Sequence, residues 1–197
     1  MLRVYLLRHG QTPYNADGNR YCGRTALALT DKGVEQAKAV HQRLKDLRLD
    51  AVYSSPLYRA RRTAELATGR ETVHTDQRLI EIDFGSWEHK TREEFVAEDP
   101  ASWTNWMEDP EHTRAGNTGE SGQEVIARLD AFFDEMLIKH PGQTILIAGH
   151  NGINRLYMAH KLGMPLKYYR RLVQENSAIT LLEWDDAGEF TLQKLNA

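Results

Sequence analysis

The sequence contains a single cysteine, Cys22, among 197 residues, so an internal disulfide is excluded and no CxxC pair exists to hold zinc. That usage fits a reducing, cytoplasmic setting. Cys22 is followed six positions later by Ala28 rather than arginine, which excludes the loop of a cysteine-nucleophile phosphatase. There is no lysine-rich tail and no arginine stripe, and the formal net charge is -3, so a general affinity for nucleic acid or an anionic membrane has little support. Long apolar runs are also missing. The first, in "RVYLL", is broken by Arg3 and stopped by Arg8, and this N-terminus reads as neither a signal peptide nor a membrane span. GxxxxGK[ST], HExxH and GxGxxG are all absent, which disfavours nucleotide-driven and zinc chemistry.

What remains is an ordinary globular composition, 41% hydrophobic and 27% charged, with no repeat, low-complexity tract or linker. At this length one domain spanning 1–197 is expected. "RVYLL" reads as a buried strand. "LTDKGVEQAKAVHQRLKDL" carries apolar residues at helical spacing behind Thr30 as N-cap. "DAVYSS" reads as a strand, with Ser55-Pro56 as N-cap and first position of the helix "LYRARRTAELAT". "ETVHTD" reads as a third strand. Ser121 and Glu124 have capping-box spacing at the start of a long amphipathic helix that ends before Pro141-Gly142. "QTILIAGHNG" is a strand leading into the helix "INRLYMAHKLG", and "SAITLLEWDDAGEFTLQKL" reads as a hairpin. This alternation predicts an α/β fold: a mainly parallel central sheet with helices on both faces, three layers in all, whose ligand sites lie beyond the carboxyl ends of the strands.

Two of the eight histidines occupy that position. His9 and His150 each end an apolar strand, and Arg8, Arg59 and Arg62 are expected near the same sheet edge. A compact cluster of imidazole and guanidinium groups suits a phosphate, whose oxygens guanidinium binds bidentately. Adjacent arginines would repel a metal cation held by the two histidines. The other six histidines lack such company and receive no role.

"LLRHGQTPYN", "SSPLYRARRTAE", "LIEIDFGSWE", "GESG" and "IAGHNGINR", in this order and spacing, resemble the histidine phosphatase superfamily, phosphoglycerate mutase-like branch. The resemblance implies a metal-independent phosphatase that needs no cofactor and hydrolyses the phosphomonoester of a small metabolite through a phosphohistidine. It further implies that His9 is the nucleophile, that Arg8, Arg59 and His150 hold the phosphoryl oxygens, and that Glu81 is the acid/base carboxylate. Asn15 and the Asn151 backbone are implied phosphate contacts, with Gly10, Thr12, Cys22 and Gly23 as further substrate-side positions. Gly10 is expected to permit a close backbone approach. Two alternatives stay open: a phosphoglycerate mutase, which returns the phosphoryl group to substrate, and a non-catalytic phospholigand-binding protein. The intact histidine, arginine and glutamate set argues against the latter.

Ala26 and Ala28 stand where members of the branch often carry an acid and a proline, so the conformation of the "GRTALAL" loop is an open point. A lid-like insertion is expected at about 88–120. Acids outnumber Lys90, Arg92 and Arg114 there, which disfavours a substrate bearing several phosphates and hence the mutase. Trp103 and Trp106 share a helical face and are read as core packing. "KYYRR", 167–171, is read as a solvated basic face.

Overall fold

The computed structural model describes residues 1–197. Six strands and seven α-helices follow in the order β1 (Leu2–Arg8), α1 (Pro13–Ala16), α2 (Asp31–Leu44), β2 (Ala51–Ser54), α3 (Tyr58–Thr68), β3 (His74–Thr75), α4 (Arg92–Glu98), α5 (Pro100–Glu108), α6 (Gly122–Lys139), β4 (Thr144–Gly149), α7 (Asn151–Lys161), β5 (Ile179–Trp184) and β6 (Phe190–Lys194). The sheet order is β3-β2-β4-β1-β5-β6. The first four strands run parallel, and β5 and β6 add an antiparallel edge.

Alternation along β1 explains the layers. Leu2, Val4 and Leu6 enter one core with Leu129, Phe132 and Phe133 of α6 and Leu156 of α7, whereas Leu7 enters the opposite core with Val40 and Leu44 of α2 and Ala64 and Ala67 of α3. Thus α2, which precedes β2, covers one face and α7, which follows β4, the other. Strands β1 and β4 are neighbours, so the chain changes face between them and a crevice opens at their carboxyl ends.

The Thr30 cap and the Ser121–Glu124 capping box form as expected. The N-cap of α3 does not: Leu57 holds it, and Ser55 Oγ instead accepts the Leu57 N–H at 3.3 Å. Proline before the helix favours extended backbone at the preceding serine, which sets the start two residues later. The expected strand "ETVHTD" shrinks to two exposed residues at the sheet edge, where it has one neighbour to pair with.

The 88–120 segment forms α4 and α5, and its aromatic residues pack inward. Trp106 is 1% exposed, its indole N–H donates to the Tyr169 hydroxyl at 3.3 Å, and Trp103 packs edge-on to Trp87. No helix is long and apolar enough to cross a membrane.

At one point two backbones touch. A Cβ on Gly33 would sit 2.2 Å from the Gln11 carbonyl oxygen, and one on Gly10 would sit 2.5 Å from that of Gly33. Alanine gains about 1 kcal/mol over glycine inside a helix, but overpacking against backbone costs about 1–3 kcal/mol. Gly33→Ala is therefore expected to lower the urea midpoint at an unchanged slope. A higher midpoint would mean that the contact yields.

Candidate active site

His9 immediately follows β1, where its backbone is fixed by three bonds. Its N–H donates to the Gly149 carbonyl of β4 at 3.1 Å, and its carbonyl accepts from the Ser177 N–H at 3.3 Å and the Asn176 amide at 3.1 Å. The ring is fixed as well. Nδ1 lies 2.7 Å from the Gly10 carbonyl oxygen, which can only accept, so Nδ1 carries the proton and Nε2 keeps a free lone pair. Gly10 in turn donates its N–H to Thr63 Oγ1 at 3.0 Å.

His150, the N-cap of α7, is fully buried, and its ring centroid lies 5.2 Å from that of His9. Neither of its ring nitrogens has a protein partner. Arg8 Nε and Arg59 Nε are likewise buried without one. The remaining guanidinium donors tie the site together. Arg8 Nη1 donates to the Gln174 carbonyl at 2.5 Å, and Arg59 donates to the Thr25 and Gly23 carbonyls at 2.8 and 2.6 Å. Arg59 thereby holds the "GRTALAL" loop, with Glu88 accepting the Arg24 N–H and the Thr25 hydroxyl from outside. Buried polar atoms without partners are rare, and the Nε–H groups of Arg8 and Arg59 with the single N–H of a neutral His150 are donors that suit an oxyanion.

Burial first, then the positive charges of Arg59 and Arg8, hold the His9 pKa well below its ordinary value. Burial and Arg59 do the same for His150. Both rings are therefore expected to be neutral in the folded protein at pH 6. The unfolded chain binds protons on them below about pH 6.5, so their contribution to stability is lost as pH falls from that value toward the folded pKa values. Imidazole resonances of His9 and His150 are expected to keep their neutral-form shifts at pH 6, with protonation of either ring there refuting the argument. Arg8 is lowered to about 10 by burial and by the charge of Arg155, and remains a cation at neutral pH.

Glu81 lies in an irregular segment, where the start of α7 anchors it. Its carboxylate accepts the Gly152 N–H at 3.1 Å through Oε2, and the Ile153 and Ile82 N–H groups at 3.1 and 3.0 Å through Oε1. A helix N-terminus is a natural seat for a carboxylate. Any side chain at 152 would meet it, since a Cβ there falls 2.7 Å from Oε1.

These groups border a cavity of about 320 Å3 lined by Arg8, His9, Asn15, Cys22, Glu81 and Asn151 among the positions singled out in the sequence. His150 and Arg59 stand behind that wall, fully buried. Thr12, Gly10 and Gly23 do not line the cavity. Thr12 caps α1 and hydrogen-bonds Asn15 Oδ1 at 3.0 Å, Gly10 supplies the carbonyl for His9, and Gly23 supplies one for Arg59. The Cys22 thiol has its pKa raised by burial and contacts Thr12 Oγ1 at 3.7 Å. Arg62 turns away to pair with Glu65 at 3.0 Å, and Arg24 pairs with Glu120 at 3.1 Å. No residue of 88–120 enters the wall. The sequence reading missed Tyr21, Phe84, Arg155, Tyr169 and Gln174, and read Arg170 as solvated, although all six line the cavity.

The profile described as "Histidine phosphatase superfamily (branch 1)" matches residues 4–197. Phosphoserine phosphatase 1 of Hydrogenobacter thermophilus is 32% identical, over 100% of this chain and 92% of that protein. Adenosylcobalamin/alpha-ribazole phosphatase of Salmonella typhimurium is 35% identical, over 100% of this chain and 96% of that one. Among solved structures, a phosphoserine phosphatase mutant of Entamoeba histolytica in complex with phosphoserine superposes with a TM-score of 0.91 at 27% identity, covering 100% of this chain and 98% of that one. With its fold, its full-length relatives and its profile in agreement, the chain belongs to the histidine phosphatase superfamily.

Proposed function

We propose that the protein hydrolyses the phosphomonoester of a small metabolite through a phosphohistidine on His9, without a metal or cofactor. The observation that carries this reading is the His9 ring itself: neutral, held by Gly10 through Nδ1, and offering Nε2 beside the unpartnered atoms of Arg8, Arg59 and His150.

Nε2 attacks phosphorus in line with the ester oxygen. As the P–N bond forms the P–O bond breaks, and the Glu81 carboxyl group delivers a proton to the departing alkoxide oxygen. Arg8 and Arg59 face the charge that spreads over the three phosphoryl oxygens, and neutral His150 adds the one ring N–H it carries. In the second half, water attacks the phosphohistidine, Glu81 takes the water's proton, the P–N bond breaks, and inorganic phosphate leaves. Asn15 and Asn151 border the same space and serve as polar contacts for the phosphoryl group. The 1–197 span works as a single domain in this reading, with the 88–120 insertion lying outside the cavity wall.

The test is phosphate release from a panel of metabolite monoesters in the presence of EDTA. Rapid release from at least one ester is expected. Loss of release in EDTA that is restored by a divalent cation would refute the metal-free scheme.

A further inference from the structure

Nearly every arginine of this chain that is not freely exposed pairs with a carboxylate. The exceptions are Arg8, Arg59, Arg155 and Arg170: Arg8, Arg155 and Arg170 line the active-site cavity, and Arg59 stands behind its wall near His9. Arg8 and Arg59 belong to the phosphoryl end. Arg155, four residues into α7, and Arg170 do not.

Arg155 uses only Nε within the protein, donating to the Asn151 carbonyl at 3.1 Å, and its guanidinium lies over the Tyr169 ring at 5.2 Å. Its two Nη groups form an uncommitted, planar fork. Arg170 lies 5.0 Å over the Trp103 ring and donates from Nη1 to the Tyr21 hydroxyl oxygen at 3.1 Å. Because Tyr21 accepts from Arg170, its own O–H proton is left to donate elsewhere, and Tyr21 lines the cavity. Burial raises the pKa of that phenol, which stays protonated at neutral pH.

The charge balance gives these groups a purpose. Two guanidinium ions, Arg8 and Arg59, match a phosphomonoester dianion. Arg155 and Arg170 are surplus to it, and the one carboxylate that lines the cavity, Glu81, is already committed to three backbone N–H groups. Arg155 also repels Arg8 enough to be the largest charge effect lowering its pKa. A ligand that is negative at both ends relieves that repulsion. The third cation of the outer wall, Arg20, is neutralised by Asp17 and Glu94 and adds nothing.

We propose that Arg155 and Arg170 form a second oxyanion subsite, which binds a carboxylate carried by the organic part of the phosphate ester. The planar fork of Arg155 and the phenolic proton of Tyr21 suit the flat, two-oxygen geometry of a carboxylate. The proposal rests on the phosphatase reading and narrows its substrate to phosphorylated hydroxy or amino acids.

The experiment compares phosphoserine with phosphoethanolamine, which lacks only the carboxylate. The wild-type ratio of kcat/KM is expected to exceed about 100-fold in favour of phosphoserine, the scale at which a site built for a polar group rejects its absence. In Arg155→Met, which keeps a flexible side chain over Tyr169, the ratio is expected to collapse below about 5-fold. Arg170→Met is the second variant should the first not fold. A merely structural arginine would depress both esters and leave the ratio intact, which overturns the proposal, as does a wild-type ratio near one. A bisphosphate such as 1,3-propanediol bisphosphate outrunning phosphoserine assigns the subsite to a second phosphoryl group and overturns the carboxylate. Calorimetric binding of the same pair to His9→Ala protein reads the subsite without turnover. Absence of phosphate release with a retained binding ratio would then count against the phosphatase reading alone, and equal binding against the subsite.

Discussion

Turnover is expected to fall by about 10^5-fold or more in His9→Ala, the scale on which loss of a covalent nucleophile is felt. The substitution removes the imidazole whose Nε2 lone pair the Gly10 bond leaves free, whereas the backbone bonds to Gly149, Ser177 and Asn176 do not involve the ring. The fold is therefore expected to survive, with a cooperative urea transition near that of the wild type. Brief exposure of wild-type protein to 32P-labelled substrate should leave acid-labile, base-stable label, and the variant should take up none. Residual activity within tenfold of wild type, or labelling of the variant, would remove His9 from the chemistry.

The second large effect is expected at Glu81. Glu81→Gln cannot deliver a proton, and slowing of about 10^2- to 10^4-fold is expected for alkyl esters, whose alkoxide leaves poorly. An ester with a good leaving group, such as p-nitrophenyl phosphate, needs less help and should lose far less. This contrast matters because the carboxylate also has a structural task. It accepts three backbone N–H groups, and a glutamine amide can present only one oxygen to them. Loss of that anchor alone would slow good and poor leaving groups alike, and equal slowing would refute the proton-transfer role.

How much of this was legible in the sequence depends on the kind of element that carries each residue. His9 and His150 stand out because apolar strands stop abruptly at them, and strand ends in a parallel sheet share one edge. Arg59 follows from its place in the first turn of α3, even though the helix starts later than its serine and proline suggest. Glu81 lies between two short 3-10 turns with no periodicity, so only the motif around it gives it away. Arg155 lies on an amphipathic helix whose partly exposed positions look alike in sequence. Arg170 lies in a basic run whose neighbours Lys167 and Arg171 are indeed exposed, and only the tertiary approach of Tyr21 and Trp103 sets it apart. Thr12, Gly10 and Gly23 belong to the right motifs but act through backbone and capping. A pattern of residue types does not distinguish such a role from contact with a ligand.

One consequence of the β4–α7 junction concerns how such an enzyme changes its taste without losing its trade. His9, the proposed nucleophile, follows β1, while His150, the seat of Glu81 and Arg155 all ride on the first turns of a single helix. That helix acts as a ruler, with a rise of about 1.5 Å per residue, so one full turn separates its phosphoryl end from Arg155. If Arg155 selects substrate as proposed, exchanging the side chain at the far graduation re-tunes which molecules fit and leaves the zero mark untouched. Drift in substrate choice can therefore proceed one residue at a time beyond that first turn, whereas a slip of the helix itself would misalign proton donor, phosphoryl group and recognition together.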